Sequence, residues 1–407
     1  MNIACILADK DYPAYADRKV YGLGFVERFA RQFREFGFKD VLLVSDQPQT
    51  AMYTQSMNLS ELTRFFQSLD LQKEVQLFLV AGNVVMDDRL IRFTRDSKED
   101  MRLTPDGGFV KISGENLKLF LTRLTDIKDI DQLIGFVKKP PGEYAIKTVN
   151  PSNFESYIED LRLNFVPYFF QVEKDTDMKS LENHMYEANF KGTMDFIATY
   201  IYKYPVREIT RFLSRFSFVT PNQITFLSIV SSFAVPLLFA LGFFGAAIIV
   251  GWCMFIFDSV DGKLARLTVR LSRTAGLIEH ATSAPAIFLW FVGLTWHFTD
   301  HQFFDFVHPG AISGWTLMIL YGVDKGVNGI FRMKFKREIY DFSRLDKLFH
   351  LIACRRAIIM LIITVGYFAG NVKRAFYFLA FWMICSFLFH LFRAVWISLS
   401  LSKQKLN

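Results

Sequence analysis

Residues 216–257 are 42 consecutive positions without Asp, Glu, Lys or Arg, and this run limits what the chain can fold into more than any other feature. A bilayer core takes about 20 apolar residues per helix, so the run has the length of two membrane spans with a turn near Gly242 to Gly245. A buried soluble hairpin is the alternative, but four more apolar segments follow, roughly 274–298, 312–323 with the apolar residues before it, 357–370 and 375–392. Whole-chain averages dilute this pattern: the 407 residues are 51% apolar and 21% charged, with 45 Phe and a mean hydropathy of +0.21. Those values exclude a disordered chain and disfavour a wholly soluble two-domain enzyme.

Six spans would put both ends on one side, and the loop charges say which. Arg207, Arg211 and Arg215 precede the first span; Lys263, Arg266, Arg270 and Arg273 follow the second; a basic connection from Lys325 to Arg356 separates the fourth and fifth; Lys403 and Lys405 end the chain. The opposite loops carry Asp300 and Asp305, and only Lys373 and Arg374 break the rule. Met1 to Ala8 is too short for a signal peptide and is followed at once by Asp9, Lys10 and Asp11, so the first half is expected to stay in the cytoplasm. The expected location is the cytoplasmic membrane, with both termini inside and membrane lipids as partners. A net charge of +7 over this length is a weak signal for nucleic acid, and none is expected as a partner. Cys5, Cys253, Cys354 and Cys385 form no CxxC pair, so four unpaired thiols are expected rather than a zinc site or disulfides.

The segment from Met194 to Arg215 is too charged to span, yet alternates apolar and basic faces, which predicts an amphipathic helix in the headgroup layer, broken near Pro205. Before it the periodicity changes. Ile3 to Leu7, Asp40 to Ser45 and Val75 to Val80 are strand candidates, while Phe25 to Phe36, stopping at Gly37, and Leu59 to Leu69 have helical spacing. Alternation of this kind predicts a parallel, doubly wound sheet. The expected division is therefore 1–185, an α/β domain; 186–215, an interfacial linker; and 216–407, an all-α domain of six membrane helices.

At the end of the second span the sequence reads Phe257-Asp-Ser-Val-Asp-Gly-Lys-Leu-Ala-Arg-Leu-Thr268. Ionised residues at a membrane boundary are costly unless paired, hydrated or bound to metal. The i, i+3 spacing puts Asp258 and Asp261 on one helix face, where two carboxylates suit a hard divalent cation such as Mg²⁺ or Mn²⁺. Gly262 allows a ligand close, and Arg266 can meet a phosphate bidentately. Solvated charges capping an interfacial helix are the alternative.

This stretch resembles the signature of the CDP-alcohol phosphatidyltransferases, D-x2-D-G-x2-A-R-x8-G-x3-D-x3-D, at Asp258, Asp261, Gly262, Ala265 and Arg266. Five fixed matches arise by chance in roughly one such chain in 10⁴. Thr220-Pro-Asn-Gln-Ile-Thr225 is similar to the family's lead into its first span. The resemblance implies a CDP-alcohol donor, a hydroxyl acceptor that displaces CMP, Asp258, Asp261 and Glu279 on metal, and Gly262, Ala265 and Arg266 against the nucleotide or its phosphates. It also implies a homodimer through the membrane half. The second half of the signature departs: Ala275 stands for the glycine, Glu279 for the third aspartate, and Ser283 for the fourth, the family's general base. A serine hydroxyl is un-ionised at neutral pH, and loss of a positioned base costs about 10²- to 10⁴-fold. Arg355 and Arg356, before the fifth span, are candidates for an anionic acceptor headgroup, with positive-inside anchoring the alternative.

The first half resembles a sugar-phosphate-type nucleotidyltransferase over about 130 residues, through Ile3 to Ala8, Gly22-Leu-Gly24 before a helix, Gly37 to Ser45 and Val80 to Asp88. The resemblance is to the fold rather than to the activity. Asp9 to Arg18 contains no glycine where the family has a phosphate loop, and Asn83 replaces its metal-binding aspartate. The combined architecture is similar to bifunctional inositol-1-phosphate cytidylyltransferase and di-myo-inositol phosphate phosphate synthase proteins. Two readings remain: a membrane transferase moving a phosphoalcohol from a CDP-alcohol to a hydroxyl, or a catalytically degenerate homologue that binds a ligand or a partner subunit.

Overall fold

The computed structural model describes residues 1–8, 17–46, 52–69, 74–104, 107–192 and 194–404; for 273–275, 279–280 and 402–404 it describes the backbone alone. The chain divides into two compact units, one built mainly from 1–192 and the other mainly from 193–407.

In the first unit, seven strands form one sheet in the spatial order Lys147–Val149, Met101–Leu103, Phe109–Ser113, Gln76–Ala81, Asn2–Ala8, Asp40–Ser45 and Gln55–Met57. Asn2–Ala8 pairs in parallel with both Asp40–Ser45 and Gln76–Ala81, at the centre. Successive side chains of a strand point to opposite faces. Accordingly Ile3, Cys5 and Leu7 join Leu62, Phe66, Phe120 and Leu133 in one core, while Ala4, Ile6 and Ala8 join Val26, Phe29, Phe33 and Leu90 in the other. Both faces are covered by helices, which is why the strand reads as an unbroken apolar run rather than an alternating one.

The expectation of a parallel sheet needs correction: the sheet is mixed. Phe109–Ser113 runs antiparallel to both Gln76–Ala81 and Met101–Leu103. Only residues 104–108 join Met101–Leu103 to Phe109–Ser113. A parallel crossover needs a dozen residues or more, so so short a link forces reversal. The helix Phe25–Glu35 ends where expected, because Gly37 takes φ +84° and its N–H reaches the Arg34 carbonyl at 3.0 Å.

The second unit opens with a π-helical turn, Ile197–Ile201, followed by the helix Lys203–Ser214. The break falls near Pro205 for a local reason: Pro205 has no N–H for the Ile201 carbonyl, and its ring crowds it. The first membrane helix, Pro221–Ala240, starts at a capping box in which Thr220 and Gln223 satisfy each other's backbone N–H groups, with Pro221 in the first turn. Gly242, at φ +79°, turns the chain into the second membrane helix, Phe244–Leu267. Arg273–Phe298, Pro309–Phe335, the pair Arg344–Ile352 and Arg356–Phe368, and Val372–Gln404 follow. A Cβ on Gly293 would lie 2.3 Å from the Pro236 carbonyl oxygen, so the first helix and Arg273–Phe298 approach at backbone distance.

Among the described residues, four helices are long and apolar enough to cross a membrane, or five if the pair bent by 44° at residues 353–355 is one broken span. The expectation was six. With the bent pair taken as the fifth, Pro309–Phe335 is the sixth, and its uncharged part, residues 309–323, is followed by Asp324, Lys325, Arg332 and Lys334. Fifteen residues of helix rise about 22 Å, short of the roughly 30 Å core. Outward side chains such as Phe226, Leu237 and Ile249 are 61–69% exposed in this unit, as suits a lipid solvent.

Candidate active site

The two aspartates of the Phe257 to Thr268 stretch sit in the C-terminal half of the second membrane helix. Their environments differ. Asp261 is 2% exposed; Thr225 Oγ1 lies 2.7 Å from its Oδ2, and the Gly262 backbone N–H donates to its Oδ1 at 2.6 Å. Thr225 Oγ1 is also 3.1 Å from the Pro221 carbonyl, but it has one proton and the carboxylate is the nearer acceptor. The capping box therefore starts the first helix so that its first full turn delivers a hydroxyl to the second.

Asp258 faces a charge instead. Arg356, the first residue of Arg356–Phe368, donates from Nη1 to Asp258 Oδ1 at 3.2 Å and from Nη2 to Oδ2, with its guanidinium 5.9 Å from the Phe255 ring centre. Arg355 Nη1 meets His350 Nε2. Two arginines adjacent in sequence thus serve different groups.

Gly262 and Ala265 lie on the same helix, and a Cβ at Gly262 would stand 3.4 Å from Arg266 Nη1. The absent side chain leaves room beside that guanidinium. Ser283 is half-buried on Arg273–Phe298. The side chains of Ala275, Glu279 and His280, on which the third acidic position depends, lie outside the described residues.

Two further residues converge here that sequence reasoning did not single out as site residues. Thr225 is one; its signal was the end of the Thr220 to Thr225 motif. Tyr202 is the other: it is 7% exposed, bonded to Ser259, and pushed up to about 12 by burial and then by Asp195, so its phenol stays protonated throughout the working range. Nothing in its local sequence marks it, because it reaches the site from the segment before the first span.

Among the described residues, no three His, Cys, Asp or Glu side chains stand close enough to hold a metal ion. Asp258 and Asp261 are nevertheless hard oxygen donors one helical turn apart, a donor set that fits Mg²⁺ or Mn²⁺ with water or phosphate oxygens completing the shell.

In the first unit the candidate nucleotide features take structural roles. Asn83 Nδ2 donates to the Val172 carbonyl at 3.2 Å, and the Val172 N–H returns to the Asn83 carbonyl at 2.7 Å, joining two chain segments. Gly22 forms, with Tyr21, a two-residue hairpin turn between Lys19–Val20 and Leu23–Gly24, at φ +72° and +49°. Of the expected phosphate-loop stretch, residues 9–16 lie outside the described residues.

Residues 218–323, about a quarter of the chain, match the family model described as CDP-alcohol phosphatidyltransferase. The match holds both Thr225 and the Asp258 to Arg266 stretch. A solved structure that it resembles is the crystal structure of Mycobacterium tuberculosis phosphatidylinositol phosphate synthase (PgsA1) with CDP-DAG bound, at 20% identity and a TM-score of 0.36, covering 46% of this chain and 92% of that one. No curated protein sequence matches the chain.

Proposed function

We propose that the protein is a membrane transferase that moves a phosphoalcohol from a CDP-alcohol to a hydroxyl acceptor. The observation that carries this is the convergence of Thr225, Asp258 and Asp261, all inside the stretch 218–323 that matches the family, with Arg356 from a later helix. The acceptor hydroxyl attacks the phosphorus bearing the alcohol, a new P–O bond forms, the anhydride bond to CMP breaks, and the hydroxyl proton leaves. Asp258 and Asp261, with Glu279 as the third donor, would hold Mg²⁺ or Mn²⁺, which supplies positive charge to the diphosphate. Gly262 and Ala265 make room for the nucleotide, and Arg266 meets its phosphates. Arg355 and Arg356 face the anionic acceptor. Both termini are cytoplasmic, six spans cross the cytoplasmic membrane, the short apolar run of Pro309–Phe335 being met by local thinning of the bilayer, and 1–185 is a nucleotidyltransferase-like domain without turnover of its own.

A second reading is favoured by Ser283, which stands where the family places its base, and by Asn83, whose amide is committed to the Val172 carbonyl. On that reading the chain is a degenerate homologue that binds a CDP-alcohol or a partner transferase. The test is CMP release by the full-length protein with Mn²⁺ and a panel of CDP-alcohols. Metal-dependent CMP formation, abolished by Asp261→Asn, supports the transferase. No turnover by the wild type, with turnover appearing in Ser283→Asp, supports the degenerate homologue and overturns the first reading.

A further inference from the structure

The Asp258–Arg356 pair spans 98 positions of sequence, and both oxygens of the carboxylate are engaged. The Asp258 side chain is 10% exposed and that of Arg356 35%. A carboxylate this buried needs a counter-charge, since an uncompensated one is costly in a poorly hydrated site. A divalent cation would need the same oxygens. Two cations at one carboxylate repel each other, and at contact distance the repulsion is doubled by the divalent charge. Asp261 makes the contrast: the groups donating to it are the Thr225 hydroxyl and the Gly262 N–H, both neutral.

We propose that Arg356 is the resident counter-ion of Asp258, and that a divalent cation loads the site by displacing it. This rests on the assignment of Asp258 and Asp261 to a cation made above. The exchange keeps the carboxylate compensated at every stage, first by guanidinium and then by metal. It also releases the Arg356 guanidinium from Asp258, so that this charge can turn to a phosphate once the cation is in place. Arg356 is on this view a positioning residue that couples loading of metal to binding of an anionic substrate.

The experiment is a Mn²⁺ titration of the full-length protein in detergent, without nucleotide, following free Mn²⁺ by electron paramagnetic resonance. Arg356→Gln is expected to tighten Mn²⁺ binding about 10-fold or more, with Arg356→Lys closer to wild type, because the competing charge is lost or kept. Asp258→Asn should erase the difference that Arg356→Gln makes. Unchanged or weaker binding by Arg356→Gln overturns the proposal. Should that variant fail to fold, phenylglyoxal modification of Arg356 in the wild type, read by mass spectrometry, is expected to rise severalfold on adding Mn²⁺; an unchanged yield overturns the proposal equally. Mn²⁺ binding that Asp261→Asn abolishes but Arg356→Gln leaves alone sinks this inference and spares the proposed function. No Mn²⁺ binding by the wild type sinks the inference together with the metal-assisted reaction it rests on.

Discussion

Thr225→Val removes one hydroxyl and keeps the shape of the side chain, so it isolates the 2.7 Å bond to Asp261. The size of the effect distinguishes two states of the carboxylate. Hydrogen bonds between membrane helices are worth about 0.6 kcal/mol on average and rarely exceed 1.7 kcal/mol, partly because the unfolded chain in detergent or lipid finds other partners. A bond to a charged group contributes more, about 1.5–3 kcal/mol, and Asp261 is too buried at 2% exposure for water to replace the lost donor. A double-mutant cycle of Thr225→Val and Asp261→Asn, read by unfolding in mixed micelles with EDTA present, should therefore give a coupling energy of about 1.5–3 kcal/mol. Thr225→Ser should retain most of it. If the two substitutions add within about 0.5 kcal/mol, the hydroxyl does not support Asp261 and the link drawn between the two motifs is wrong. A coupling near 0.6 kcal/mol would mean a neutral pair and would refute the ionised donor set that a cation requires.

Gly293→Leu should destabilise the membrane unit by at least about 1–3 kcal/mol, because even its Cβ would fall 2.3 Å from the Pro236 carbonyl; an unchanged melting temperature in detergent would show that the two helices do not pack at backbone distance. In the first unit, burial, with Asp87 beside it, pushes Asp88 up to about 7 from its ordinary 3.8. The folded state then binds more protons than the unfolded one between those values, so stability is greatest at the acid end of that window and falls as pH rises through 7. Asp88→Asn should remove that fall, which is up to about 4 kcal/mol, and slow amide exchange in Asp88–Asp96 at pH 8; exchange with the same pH dependence in the variant would refute the assignment.

How much of this was legible beforehand depends on the range over which each feature is decided. The turn at Gly242, the helix stop at Gly37 and the break near Pro205 were readable because a few neighbouring backbone groups settle them. The positions of Asp258 and Asp261 on one helix face followed from the 3.6-residue period alone. The reversed strand Phe109–Ser113 was missed because a buried apolar run carries no periodicity that encodes its direction. Pro309–Phe335 resisted the span count because an apolar run of intermediate length is ambiguous by composition.

The sequence by itself determined an α/β half, an apolar helical half and a pair of acids near the end of the second span, since hydrophobic burial and local backbone preference act over tens of residues or fewer. Only the tertiary structure decided what each acid meets. Thr225 lies 36 positions from Asp261, Arg356 lies 98 from Asp258, and Arg355, one residue away, turns to His350. Such pairings are set by how helices pack, and packing brings together groups whose separation along the chain carries no signal of their nearness.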